Sequence, residues 1–195
     1  MMMAQIQQQE DKLNLGAKKF NMWIFIFTSV LLFMGFMSGF IVYAGGRGHG
    51  LQVILPEAFK YSTFVLIISS AMLIGASNAA KNANISKQRL FLWLTIGLGV
   101  AFLAIQIYAW YVLTFRDGIY FSNPNAARSF IYVFSGVHLL HVIAGLLVLL
   151  NAVTATYRNI PQVRNIFKME MASIFWHFLD IMWICLYVFL LLNQN

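Results

Sequence analysis

Long apolar stretches alternate with short polar segments along the whole chain. Five stretches are long enough to cross a hydrocarbon core of about 30 Å, which takes roughly 20 helical residues. Four of them contain no charged residue, and the fifth carries one acid, Asp180. They cover residues 20–43, 61–80, 90–115, 129–157 and 171–193. No stretch shows the short alternation of transmembrane strands, so the pattern predicts an all-α polytopic membrane protein with a bundle of five transmembrane helices.

The polar segments predict the organisation and orientation of the chain. Residues 1–19 are expected to form a polar cytoplasmic N-terminal tail, and residues 20–195 a single domain. Nine Lys and Arg residues lie in the tail and in the second and fourth loops, against four in the first and third loops. Because positive charge accumulates in cytoplasmic loops, we expect the N-terminus in the cytoplasm and the C-terminus outside.

Composition strengthens the membrane assignment. The chain is 61% hydrophobic and only 10% charged, whereas soluble domains have about 45–50% apolar and about 25% charged residues. The net charge of +7 would suggest nucleic acid if the basic residues were clustered on a soluble surface. Here they lie between apolar runs, where anionic lipid and topology account for them. We therefore exclude a soluble nucleic-acid binder.

Small residues at helical spacing predict where the helices approach each other. Gly35 and Gly39 are four residues apart in the first helix, and Gly75 and Gly145 lie in the second and fourth. Because small residues let transmembrane helices pack closely, we expect these four glycines at helix contacts. This pattern carries no information about chemistry.

Polar residues at membrane depth are the candidates for function, since burying them there is costly. His138 and His141 share one face of the fourth helix, His177 and Asp180 one face of the fifth, and Gln106 lies in the third. The residue types suit a metal or haem site, a proton relay, or a structural clasp in which His-to-Asp hydrogen bonds join the fourth and fifth helices. The spacing alone leaves these three interpretations open.

Several motifs along the chain resemble those of one known family of membrane proteins. Residues 136–145 are similar to its G-x-H-x-x-H-V-x-x-G stretch, and residues 176–188 to its W-H-F-x-D-x-x-W-x-x-L-Y-V signature. Residues 117–120 match its D-G-I-Y loop. Gln106 matches the glutamine of its third helix, and Glu170 the acid before the fifth. The motifs follow in the family's order from residue 20 onward. The family that they resemble is subunit III of the haem–copper oxidases (cytochrome c oxidase subunit 3).

The first helix shows one departure from the family pattern. Residues 25–36 resemble the family's F-I-x-S-E-x-x-F-F-x-G-F helix, but we expect Val30 at the position of its carbodiimide-reactive glutamate. The resemblance then implies that this reactivity is absent, and with it a candidate for a buried titrating acid.

The resemblance implies a non-catalytic membrane subunit of a proton-pumping aerobic terminal oxidase. In this family, haem and copper reside in subunits I and II, whereas subunit III binds no metal, packs on subunit I, holds phospholipid and supports proton uptake and stability. We thus expect no catalytic or metal-binding residue in this chain. The polar residues become a structural set between helices, formed by Gln106, His138, His141, Glu170, His177 and Asp180.

The five-helix length resembles the short form of the family, which occurs in bacteria, so we expect a bacterial cytoplasmic membrane. The longer form has two additional helices that enclose a lipid-filled cleft. A small extra subunit or lipid is therefore expected to cover the exposed face of this bundle. Cytochrome c is the favoured electron donor, with a quinol oxidase as the alternative. A stand-alone transporter or haem or metal carrier that uses the His/Asp set is a more remote alternative.

Overall fold

Five long helices make up the architecture of the computed structural model, which describes residues 2–47, 51, 53–116, 118–121, 126–158 and 161–194. Each helix contains a segment long and apolar enough to cross a membrane, as predicted. The described residues contain no β-strand. The helices are α1 (Met2–Arg47), α2 (Ala58–Lys81), α3 (Ile85–Phe115), α4 (Ala126–Tyr157) and α5 (Gln162–Leu192).

All five helices begin earlier than predicted, and the differences are largest for α5 and α1. α5 begins at Gln162, nine residues before the predicted start at residue 171, because Pro161 caps it in an extended conformation (φ −54°, ψ 140°). A proline is favourable at a helix start, where no N–H donor is needed. α1 is helical from Met2, so the polar segment predicted as a tail continues the first membrane helix.

Four helices form a closed ring, and α1 lies outside it. α2 packs against α3 and α5, and α4 completes the ring between α3 and α5. Within the described part of the chain, α1 contacts only α4 and α5. In the most apolar 18-residue segment of α5, half of the residues are buried, whereas in that of α1 only 22% are buried. We therefore regard α5 as the central helix.

The connection between α1 and α2 explains why these sequence neighbours do not touch. After α1 the chain crosses the C-terminal end of α5, where the Leu51 amide donates to the Asn193 carbonyl (3.1 Å) and the Val53 amide to the Gln194 carbonyl (3.3 Å). The Leu51 side chain is fully buried. α5 thus lies between α1 and α2 and contacts both.

Candidate functional site

The six polar residues predicted as one structural set are distributed over several separate locations. His138 lies in an aromatic enclosure, and His141 faces α1. His177 and Asp180 lie together on α5 beside α2, whereas Gln106 contacts α2 on its own. Glu170 lies near the charged end of the bundle, where its carboxylate is 2.5 Å from the Lys19 ammonium of α1.

His138 is completely buried and surrounded by aromatic rings. The centroid of its imidazole is 5.1 Å from that of Trp183 on α5, 5.9 Å from Phe102 on α3 and 6.4 Å from Phe33 on α1. Neither of its nitrogens has a hydrogen-bond partner among the described residues. His138 therefore acts as a packing residue where four helices meet.

His141 connects α4 to α1. Its Nδ1 lies 2.8 Å from the Val137 carbonyl oxygen, and its Nε2 lies 3.2 Å from the Ser29 hydroxyl. A carbonyl oxygen can only accept, so Nδ1 carries a hydrogen. The Ser29 hydroxyl also donates to the Phe25 carbonyl oxygen of its own helix at 2.8 Å. The pair faces a groove between α1 and α4 that is lined mainly by apolar side chains.

The family pattern of the first helix, counted residue by residue, gives another position for the missing carboxylate than Val30. Counting back through the F-I-x-S-E-x-x-F-F-x-G-F pattern from Gly35 places the glutamate at Ser29, one residue before the expected Val30. Val30 is partly buried against the apolar core. At the counted position this chain carries the Ser29 hydroxyl, 3.2 Å from His141 Nε2.

His177 lies beside two oxygen-bearing side chains. Its Nδ1 is 2.7 Å from the Ser70 hydroxyl of α2 and 3.7 Å from Oδ2 of Asp180, one turn along α5. Neither carboxylate oxygen of Asp180 has a hydrogen bond in the described part of the chain. The group joins α5 to α2.

Gln106 provides a second polar contact between helices of the ring. Its Nε2 donates to the Ser62 hydroxyl of α2 at 3.3 Å, and both side chains are buried. The Oε1 atom of Gln106 has no partner among the described residues. The residue therefore joins α3 to α2 rather than to the histidines.

The prediction that His-to-Asp hydrogen bonds join α4 to α5 is wrong. Asp180 lies beside His177 of its own helix and Ser70 of α2, and His141 bonds to α1. The physical reason is the rotation of each helix about its own axis. The rotation of α4 directs His141 toward α1, whereas that of α5 directs Asp180 toward α2. Within the described residues no group of three His, Cys, Asp or Glu side chains is close enough to hold a metal ion.

Other polar contacts that hold the ring together were not predicted. Indole N–H groups of three tryptophans on α3 and α5 donate to buried or half-buried hydroxyls. The amides of Gln88 and Asn165 exchange two hydrogen bonds of 3.1 and 3.0 Å. The sequence contains these tryptophans and hydroxyls but not their pairing. The indole bonds are Trp110 to Ser135 (2.9 Å), Trp176 to Ser69 (3.1 Å) and Trp183 to Thr63 (3.0 Å).

The glycines differ in what their backbone approaches. A β-carbon on Gly145 would lie 2.8 Å from Leu179, and one on Gly75 would lie 3.4 Å from Phe91. The prediction for Gly35 and Gly39 is wrong within this chain, because no atom lies within 4 Å of either position. Both lie on the side of α1 that faces away from the ring. Among the glycines that the structure describes, Gly99 has the closest approach, 2.7 Å from Trp176, and the sequence did not predict it.

A groove with basic side chains lies where the charged ends of α1, α4 and α5 meet. Its volume is about 590 Å³, and most of its exposed lining is apolar. Lys168 donates to the Asn151 amide oxygen at 3.0 Å. The groove combines cations with apolar walls, and its basic residues are Lys18, Arg164 and Lys168.

The D-G-I-Y loop is described only from its second residue, and Asp117 lies outside the described residues. The carbonyl of Ile119 in this loop accepts from the Tyr132 hydroxyl of α4 at 2.6 Å. The loop is therefore joined to the start of the fourth helix.

Comparison with known proteins covers nearly the whole chain. Residues 4–193 match the family model described as cytochrome c oxidase subunit III. Cytochrome c oxidase subunit 3 of Alkalihalophilus pseudofirmus is 29% identical over 88% of this chain and 85% of its own. The same subunit of Bacillus sp. PS3 is 30% identical over 88% and 84%. Cytochrome bo(3) ubiquinol oxidase subunit 3 of Buchnera aphidicola subsp. Schizaphis graminum is 28% identical over 90% and 94%.

Proposed function

The chain belongs to the cytochrome c oxidase subunit III family, and we propose that it is the non-catalytic subunit III of a proton-pumping terminal oxidase. The observation that carries the proposal is the family match, which spans all five helices from within α1 to beyond the end of α5. Membership places the chain in a complex with other oxidase subunits. It also makes the chain a multi-pass protein of a cell membrane.

Haem and copper belong, in this proposal, to the catalytic partner subunits. The geometry supports this division of roles, because the possible ligands of this chain diverge. The His138 nitrogens are enclosed by aromatic rings, His141 is bonded to Val137 and Ser29, and His177 lies beside Ser70. This chain would contribute packing, lipid contacts and support for proton uptake.

Cytochrome c is our proposed electron donor, and quinol is the alternative. The relatives include subunits of both cytochrome c oxidases and ubiquinol oxidases at 28–30% identity. The donor is expected to bind other subunits of the complex. Oxidation rates of the purified complex with reduced cytochrome c and with a quinol analogue distinguish the two.

Bound phospholipid is proposed for the basic groove at the charged ends of α1, α4 and α5. Lys18 and Lys168 can neutralise an anionic headgroup, while Met22, Val148 and Phe167 line the apolar part where acyl chains would lie. We expect the double variant Lys18→Ala/Lys168→Ala to lose anionic phospholipid that co-purifies with the complex. Lys60→Ala, at the opposite end of the bundle, is the control that should retain it.

The orientation is proposed from the charges at the two ends of the bundle. Lys81 at the end of α2, Lys87 near the start of α3 and Arg164 near the start of α5 lie at the same end as Lys18 and Lys19. A cytoplasmic location of this end follows the positive-inside rule. Labelling single cysteines with a membrane-impermeant maleimide in whole cells tests it: an outer-loop cysteine should react and one at Lys87 should not.

Purification of the tagged chain in mild detergent tests the main proposal. We expect haem, copper and larger partner subunits in the eluate, together with oxygen consumption. Harsh detergent should release the metals with the partners and leave this chain metal-free. A chain that elutes alone with stoichiometric metal would refute the proposal and support the carrier alternative.

The substitution His141→Ala is a second test that distinguishes the proposed oxidase subunit from the alternative of a metal carrier. Loss of the bonds to Ser29 and Val137 should lower the thermal stability of the complex. The haem content of each catalytic subunit should stay unchanged. Removal of bound metal from the isolated chain by this substitution would instead indicate a ligand role.

A further inference from the structure

A seam of polar side chains runs along the outer crease between α2 and α5. Near its middle the Ser70 hydroxyl, the His177 imidazole and the Asp180 carboxylate lie together, with distances of 2.7 and 3.7 Å from His177 Nδ1. Toward the charged end of the bundle, the crease continues into a cavity of about 250 Å³. The polar residues that line this cavity are Ser77, Lys81, Glu170 and Ser173.

The imidazole of His177 is the part of this seam that is exposed at the outer surface of the bundle. Its side chain is 30% exposed, and Nε2 makes no hydrogen bond with any described residue. Ile74 and Ile181, which flank the seam, are large exposed apolar residues. A ring nitrogen among them, at membrane depth, has no hydrogen-bond partner in lipid acyl chains, and this exposure is unfavourable.

The other membrane-depth histidines do not present such a group. His141 has both nitrogens bonded within this chain, and His138 is buried. On α3, the exposed Val100 and Ile107 are suited to acyl chains. The exposed tyrosines of this helix, Tyr108 and Tyr111, lie toward its C-terminal end. Among the membrane-depth histidines that the structure describes, only His177 therefore presents an unbonded ring nitrogen at the surface, on the α2/α5 side.

We propose that the α2/α5 seam is the surface that docks a transmembrane helix of a neighbouring oxidase subunit. That helix presents a hydroxyl or amide side chain to His177 Nε2, since either group can donate or accept and so suits both imidazole tautomers. Interhelical hydrogen bonds of this kind hold membrane helices together. The inference rests on the proposed function, because it requires a complex, and adds which face of this chain forms the contact.

Photo-crosslinking at two matched isoleucines tests the docking surface. Ile181 beside the seam is 61% exposed and Ile107 on α3 is 59% exposed. Each is replaced by p-benzoylphenylalanine in the tagged chain, and the assembled complex is irradiated in the membrane. We expect a covalent adduct with a partner subunit from position 181 and only lipid adducts from position 107. Lipid adducts alone from position 181 would overturn the proposal.

A steric test uses the same two positions. Ile181→Trp should lower the haem recovered with the tagged chain about tenfold, as expected if overpacking costs the contact about 1.4 kcal/mol. Ile107→Trp should leave haem recovery unchanged. Because both side chains face outward, neither change disturbs the interior of the bundle. Equal recovery from the two variants would contradict docking at the seam.

The wild-type chain separates failure of this inference from failure of the proposed function. If tagged wild-type chain recovers haem, copper and partner subunits but position 181 forms no protein adduct, the subunit assignment holds and the docking face is wrong. If the wild-type chain recovers no partners, the proposed function fails, and this docking surface fails with it.

Discussion

The indole of Trp176 on α5 lies against the backbone of Gly99 on α3. A β-carbon added at Gly99 would be 2.7 Å from Cη2 of Trp176 and 2.8 Å from Leu146 on α4. The same indole approaches Gly145 of α4, where a β-carbon would lie 3.1 Å away. Two glycines thus make room for one tryptophan at the centre of the ring.

Substitution of Gly99 should therefore be more harmful than that of its neighbour on the same helix. Gly99→Ala forces the indole or Leu146 to move and should destabilise the fold by about 1–3 kcal/mol. Gly97→Ala is the matched control, because no atom lies within 4 Å of its β-carbon position. Thermal unfolding of the detergent-purified complex measures both, and equal midpoints would contradict the close contact.

A carboxylate at Ser29 should restore carbodiimide reactivity to α1. The wild-type helix offers no acid there, whereas Ser29→Glu places a carboxyl group near His141 in the groove between α1 and α4. Dicyclohexylcarbodiimide labelling followed by peptide mass analysis should detect the adduct. Val30→Glu is the control and should label less, since Val30 packs toward the core. Stronger labelling of Val30→Glu than of Ser29→Glu would indicate that Val30 occupies the position of the family's carboxylate.

Replacement of His138 by another ring should be tolerated. His138→Phe removes two buried nitrogens that have no described partner and retains ring contacts with Phe102 and Trp183, so stability should be unchanged or higher. His138→Ala leaves a cavity and should cost about 3 kcal/mol. Thermal unfolding of the assembled complex distinguishes the two. A large loss of stability in His138→Phe would show that the nitrogens have a partner in the complex.

The amide pair of Gln88 and Asn165 should show strong energetic coupling. Gln88→Leu alone leaves the buried Asn165 amide without its hydrogen-bond partner and should lower the free energy of unfolding by about 1–3 kcal/mol. Asn165→Leu should lower it by about the same amount. The double variant should be less destabilised than the sum of the two singles, because no polar group is then left unpaired. Unfolding midpoints of the wild type, the two single variants and the double variant give the coupling free energy. Strictly additive effects of the two substitutions would show that the two amides do not interact.

The sequence predicted the helices well because their signal is local. A run of about 20 apolar residues has few structural alternatives in a membrane, and all five predicted spans are present. The start of α5 was misplaced because Arg164 and Lys168 interrupt hydropathy without interrupting the helix. Pro161 was the better boundary signal, since it favours a helix start.

The candidate site was harder to predict, because spacing along one helix does not determine its rotation. His138 and His141 are three residues apart and share a face, yet one is enclosed by rings and the other reaches Ser29 of α1. Asp180 was expected to join α5 to α4 and instead lies on the side of α2. Gly35 and Gly39 look like a packing stripe but face away from the ring.

The sequence by itself determined the membrane environment, the five helices and the family motifs, because hydrophobic length and residue identity are properties of contiguous segments. Only the tertiary structure decided that α5 is central, that α1 lies outside the ring, and that Trp176 packs against Gly99. It also decided which hydroxyl each indole or imidazole meets. The reason is physical: such pairings depend on the rotation and order of helices far apart in the chain, and the packing of all five sets these together.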